Sequence, residues 1–171
     1  MMPSTIHDLF PAPYNPRVIT KTAFQGLRVS LDTFGDLSGI VFNTRTGHLV
    51  SGHQRVEALK AAGVSEIETD ATGSFIRHRG EKFRVRFVDW DEDTEKLANV
   101  TANNPKIQGD WSDDLGVVLD DITTAGGDLL EPLQIGTLTE MLIHGGKGNE
   151  QEPKEPKEKE AKQCPHCGGP L

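Results

Sequence analysis

Cysteine occurs only twice in the 171 residues, at Cys164 and Cys167, and aromatic residues make up just 6%. Two thiols three positions apart cannot staple a fold, so a disulfide framework is excluded and a reducing compartment is expected. No apolar run approaches the roughly 20 residues that cross a bilayer, and Met1 to Phe10 lack the basic-then-apolar pattern of an export signal. The expectation is a cytoplasmic protein with no membrane partner. A 35% hydrophobic content fills one modest core and hardly two.

What is present is unevenly charged. Against a net charge of −8, residues 1–88 carry 11 Lys and Arg and 8 Asp and Glu, whereas residues 89–146 carry 2 and 13. A basic first half suits a phosphate or nucleic acid; the acidic segment repels a duplex and suits a protein partner or solvent.

The most informative stretch is Val50 to Gly63, where a glycine leads into a helix that opens Gly52-His53-Gln54-Arg55. Free N–H groups at a helix start, the positive end of its dipole and one guanidinium converge in front of Gly52, and a phosphate satisfies all three. The bland alternative is a tight corner with ordinary solvated residues behind it. Ile40 to Asn43 and His48 to Val50 read as strands joined at Thr46-Gly47. The expected helix runs from Gln54 to Ala62, with Gly63 after it.

Asn15-Pro16-Arg17, Leu27, Ser30-Leu31, Phe34-Gly35, Ile40-Val41, Gly47, Gly52-His53-Gln54-Arg55 and Ala58 resemble the ParB/sulfiredoxin superfamily. They are similar in particular to its stand-alone ParB-like "nuclease domain" proteins of phages and mobile elements. The similarity continues through Val85 to Asp89 and from Ala102-Asn103-Asn104 to Gly109-Asp110-Trp111, about two thirds of the chain. The resemblance implies an α+β fold, a mixed sheet with helices, in a bacterial host cell. It also implies a phosphate or nucleotide site at Arg17, Gly52, His53, Gln54, Arg55, Asn103 and Asn104, with Mg2+ accompanying the nucleotide. Sulfiredoxins carry their reactive cysteine where His53 stands, so that activity is not expected. Nucleotide-binding ParB proteins carry Gly-Glu-Arg-Arg and a later Glu-Asn; both carboxylates are missing here, which puts CTP hydrolysis in doubt.

For chemistry of its own the chain offers little. Ser51 has no base partner except His48 or His53, and no carboxylate cluster flanks the turn to hold a divalent ion. A nuclease or NTPase would rest on His53 as general base or phosphate donor and on Glu57, which at helical spacing can equally pair with Lys60.

Phe75 to Val88 reads as a β-hairpin turning at Gly80-Glu81 and pairing Arg79 with Lys82 and Arg77 with Arg84. Alternation then puts Arg77, Arg79, Lys82, Arg84 and Arg86 on one face and Ile76, His78, Phe83, Val85 and Phe87 on the other. Like charges opposed across strands destabilise. Nucleic-acid phosphate, the nearby Glu66, Glu68 and Asp70, or solvent could relieve them.

Lys21 to Ser30, extending toward Phe34, predicts a helix ended near Gly35. Asp91 to Asn103 predicts another, stopped ahead of Pro105. Ser112 with Asp113 and Asp114 opens a fourth, with Leu115, Val118, Leu119 and Ile122 as its apolar stripe. A short last helix is expected over 137–143, with Thr137 as cap and Leu138, Met141 and Leu142 inward. No helix-turn-helix is recognisable, so site-specific duplex reading is not expected.

Lys147 to Lys162, almost wholly Glu, Lys, Pro and polar residues, predicts a disordered tether. Beyond it, Cys164-Pro165-His166-Cys167-Gly168-Gly169 has the form of a zinc knuckle. One knuckle supplies half a tetrahedron, leaving a Zn2+ shared between two chains as a homodimer clasp, completion by another protein, or a degenerate remnant. The division expected is a ParB/sulfiredoxin-like domain over 1–110, an acidic helical extension over 111–146, the tether over 147–163 and the knuckle over 164–171. The role expected is a DNA-associated accessory protein of a phage or mobile element, near DNA-modification or packaging machinery. A metal-dependent nuclease or NTPase and a non-catalytic adaptor are the alternatives.

Overall fold

The Thr20 hydroxyl accepts the Ala23 backbone N–H at 3.1 Å, and Gly35 ends the turn at φ +70°, which together delimit the first helix, α1 (Lys21–Phe34). The chain is a computed structural model that describes residues 2–109, 111–112, 114–125, 127–138 and 140. Residues 1–139 form one compact unit, and every element named below belongs to it. Met141, Leu142, the tether and the Cys164 and Cys167 knuckle lie outside the described residues. Among the described residues no helix is long and apolar enough to cross a membrane.

After α1 come the antiparallel strands β1 (Ile40–Asn43) and β2 (His48–Ser51), then α2 (His53–Ala61). Three further strands follow, β3 (Glu68–Asp70), β4 (Gly73–His78) and β5 (Glu81–Val88), and then the helices α3 (Glu92–Thr101) and α4 (Leu115–Ala125). The strands form one mixed sheet in the order β2-β1-β5-β4-β3, with β1 and β5 parallel and the other neighbours antiparallel. The α+β class expected from the sequence is what the chain adopts.

Strand alternation sends Ile40 and Phe42 of β1 and Ile76, Phe83 and Val85 of the hairpin into one core. There they meet Val56 and Leu59 of α2, Leu31 of α1 and the N-terminal Ile6 and Leu9. Asn43, one residue on from Phe42, takes the opposite direction. It too is fully buried, and it meets α3.

The hairpin's turn lies one residue earlier than expected, which moves the cross-strand pairing by two residues and so keeps the faces. Arg79 and Gly80 are the turn, at φ +50° and +87°, so Arg77 opposes Lys82, His78 opposes Glu81 and Phe75 opposes Arg84. A two-residue loop of this twist needs positive φ at both central positions. A turn at Gly80-Glu81 would force that conformation on Glu81, whereas ending it at Gly80 puts the permissive residue second. The faces nevertheless follow alternation: Ile76, Phe83 and Val85 point into the core. Arg79, assigned from sequence to the cationic face, leaves it for the turn and pairs with Asp32 of α1 at 3.2 Å.

Two further expectations change. On α4 only Leu119 of the expected stripe is buried, with Val118 and Ile122 exposed. Residues 135–138 are already helical and Leu138 N–H donates to Gln134, so Thr137 sits inside that turn and does not cap it. Phe83 is wholly buried at the centre of the core. Phe83→Ala is expected to lower unfolding free energy by about 3–5 kcal/mol, read by urea denaturation; a loss under about 1 kcal/mol would contradict this packing.

Candidate functional site

Gly52 caps α2 at φ +86°, ψ +16°, with no side chain bonded to the helix start. Its Cα lies so close to β1 that a Cβ would stand 3.2 Å from the Ile40 Cα and 3.3 Å from the Gly39 carbonyl oxygen. The first intrahelical bond is Val56 N–H to the Gly52 carbonyl at 2.9 Å. The amides of His53, Gln54 and Arg55 therefore lack an acceptor in the helix.

These residues form one wall of an open cleft of about 740 Å3. Arg17, Gly52, His53, Gln54, Arg55 and Asn103, drawn from three separate parts of the chain, all line it, as do Val18, Ile19 and Leu27. Six of the seven residues assigned from sequence to phosphate binding thus share one cavity. Asn104, the seventh, lines an adjoining cleft of about 640 Å3 to which Arg17 and Asn103 also contribute; its side-chain oxygen accepts the Lys106 N–H at 3.0 Å.

Arg55 is held by a loop the sequence did not single out. Its Nη1 donates to the Gly39 carbonyl at 2.5 Å and its Nη2 to the Ser38 hydroxyl, while its Nε is buried without a partner. Asp36 shapes that loop, accepting the N–H groups of Ser38, Gly39 and Arg84 at 3.3, 2.7 and 2.9 Å. Burial lowers the Arg55 guanidinium from its ordinary value; Asp36 raises it, and Arg17 across the cleft lowers it again. Two cations facing one cavity favour an anion between them.

The His53 ring accepts the Ala12 backbone N–H on Nε2 at 3.3 Å, and burial lowers its pKa. The ring is therefore neutral at pH 7, with its proton on Nδ1. In this arrangement the Nε2 lone pair is taken up by the Ala12 N–H. Glu57 is not among the residues that line the cleft and lies 3.3 Å from Lys60. Among the described residues no group of three or more His, Cys, Asp or Glu side chains is arranged to hold a metal ion.

Behind Asn103, which lines the cleft, α3 is polar where the sequence reads as a solvated helix. Glu95, Asn99 and Asn103 stand four residues apart on one face of α3 and its last turn. Glu95 is fully buried; the Asn99 amide donates to the Val50 carbonyl at 2.9 Å; Asn103 accepts from Arg17 and donates to the Asn99 carbonyl at 3.1 Å. Burial raises the Glu95 carboxyl, but Thr46, Tyr14, Asn43 and His48 together hold it below the usual range. Tyr14 is driven far above its ordinary value by burial and by Glu95.

On the hairpin face Arg77 meets Glu68 at 3.0 Å and Lys82 meets Asp70 at 2.5 Å, both cations lying over Phe75. With Arg79 on Asp32, neutralisation within the fold is thus realised for three of the five expected cations. Arg84 donates to the Thr72 carbonyl at 3.1 Å and Arg86 lies over the Trp90 ring.

No family model and no curated protein matches the chain. Among solved structures it is similar to the C-terminally truncated chromosome-partitioning protein ParB from Caulobacter crescentus complexed with CTP-gamma-S, at 18% identity and a TM-score of 0.47. The match covers 68% of this chain and 58% of that one.

Gly52→Ala is expected to cost about 1–3 kcal/mol, because it adds strain at positive φ to a Cβ wedged against β1; a melting temperature equal to wild type would contradict the close approach. Tyr14 is the chain's only tyrosine, so phenolate absorbance reads it alone. Its raised value means stability present below the ordinary phenol pKa and lost as pH rises through the folded one. The lowered Glu95 value means stability present above the ordinary carboxyl pKa and lost as pH falls through the folded one. In Glu95→Gln the phenolate is expected to form at lower pH than in wild type.

Proposed function

We propose that this domain binds a nucleotide through its phosphates at the Gly52–Arg55 turn and serves as a ParB-like, DNA-associated accessory protein of a phage or mobile element. The observation that carries the reading is the convergence of Arg17, Arg55, the uncapped amides of α2 and Asn103 on one cleft. Val18, 92% exposed, and Ile19 give the same cleft an apolar rim against which a base or sugar can lie. The motif resemblance to nucleotide-binding ParB proteins supports the same assignment, and Mg2+ would enter on the nucleotide's own phosphate oxygens.

Binding is favoured over cleavage. The Nε2 of His53 is engaged by Ala12 and Glu57 by Lys60, so neither of the two residues assigned from sequence to catalysis is disposed to activate water. A second reading, nucleic-acid backbone on the hairpin, is favoured by Arg84 and Arg86, whose described side-chain contacts are a carbonyl and an indole ring and not carboxylates.

The test is calorimetric titration with CTP, ATP, GTP and a short DNA duplex, each with Mg2+. One nucleotide is expected to bind wild type and to lose about 10- to 100-fold in affinity in Arg17→Ala, the size of a charge-assisted hydrogen bond. Arg55→Ala is expected to lose at least as much, because it also frees the Ser38–Gly39 loop. Equal affinity in wild type and Arg17→Ala would refute the site. Salt-sensitive duplex binding with no nucleotide binding would move the function to the hairpin.

A further inference from the structure

A carboxylate buried beside so little positive charge is an expensive choice for stability alone, since an apolar side chain of similar volume would avoid the desolvation cost. Glu95 instead holds contacts from three segments. Its Oε1 accepts the Tyr14 hydroxyl at 2.6 Å and lies 3.4 Å from His48 Nδ1, which is too poorly aligned for a hydrogen bond. Its Oε2 accepts the Asn43 amide at 2.5 Å and the Thr46 hydroxyl. The Lys96 ammonium, 5.6 Å from the Tyr14 ring centroid, and Glu92 are the other charged groups beside Tyr14.

Tyr14 stands three residues before Arg17, and the link between them is stiff. Pro16 fixes its own φ and restricts Asn15 to extended backbone, while the Asn15 side chain accepts the Arg17 N–H at 3.4 Å. The far end of the link returns to the same helix: Arg17 Nη1 donates to Asn103, eight residues beyond Glu95. Between them Asn99 ties α3 to the Val50 carbonyl, two residues before Gly52. One polar face of α3 thus touches both walls of the cleft.

We propose that Glu95 is a positioning residue of the anion cleft: it anchors Tyr14, and the Asn15-Pro16 link carries that anchor to Arg17, which Asn103 catches at the cleft wall. This rests on the proposed phosphate site, and it makes Arg17 a preset ligand rather than a free surface arginine. A preset side chain loses less freedom on binding, which raises affinity without adding a contact.

The experiment uses the full chain, with inorganic tripolyphosphate as probe. Tyr14→Phe keeps the ring and removes only the hydroxyl. It is expected to weaken tripolyphosphate about tenfold in the wild-type background and to have no effect in Arg17→Ala, a coupling that a general loss of stability would not produce. Additive losses in that double-mutant cycle overturn the proposal. Hydrogen exchange on the ligand-free protein gives an independent reading. In Tyr14→Phe, and in Glu95→Gln if that variant folds, the amides of Asn15 and Arg17, bonded to the Ala12 carbonyl and the Asn15 side chain, are expected to exchange faster while those of β1 and β5 stay protected. Unchanged exchange at Asn15 and Arg17 overturns the proposal. Absence of tripolyphosphate binding to wild type removes the phosphate site and the preset role of Arg17 toward it, while the exchange result separately decides whether Glu95 anchors the segment.

Discussion

Residue 52 has to lack a side chain, because its Cα passes so near β1 that any Cβ would press on the Ile40 backbone. The close approach sets where α2 begins, and so where its free amides point. It also brings Arg55, on the first turn, within reach of the Ser38–Gly39 loop, whose carbonyl and hydroxyl take up the guanidinium. That loop keeps its form because one carboxylate, Asp36, gathers three backbone N–H groups, one of them from β5. The near wall of the cleft is therefore a chain of dependence running from a missing Cβ to a placed cation.

The helix behind Asn103 obeys a different constraint. A buried helix face is ordinarily apolar, and α3 instead exposes Leu97 and Val100 while burying Glu95 and Asn99. Each buried polar group has partners on other elements: the β1–β2 turn, the Val50 carbonyl, the N-terminal segment. Hydrogen bonds offset the desolvation cost, and their directionality pins segments that apolar packing would leave free to slide. Here the polar choice lies next to a cavity faced by two arginines.

Patterns that depend on near neighbours were legible. The glycine before a polar helix start, the boundaries of α1 and β1, the start of α3 near Asp91 and the split of the hairpin into cationic and apolar faces all follow from local propensity and period. The hairpin's turn was misplaced by one residue, because Gly80 fits either reading and only the twist of the paired strands selects Arg79-Gly80. The polar face of α3 reads as solvated surface, since Glu and Asn at four-residue spacing give no sign in one dimension that partners wait for them. The stripe on α4 shows the converse: apolar period alone does not decide that a face is covered.

The sequence by itself determined the element types, the mixed α+β class and the glycine-led polar helix start at Gly52–Arg55, because backbone propensity, alternation and a helix start are set by residues within a turn of one another. Only the tertiary structure decided that Arg17 and Asn103, 86 positions apart, meet beside that turn. It alone showed that Glu68 and Asp70 take up Arg77 and Lys82, that His53 is engaged by Ala12 and that Glu95 is buried at all. Those are contacts between segments distant along the chain. Which of two distant polar groups becomes the partner depends on how the sheet and helices stack, which the side chains settle jointly and not one by one.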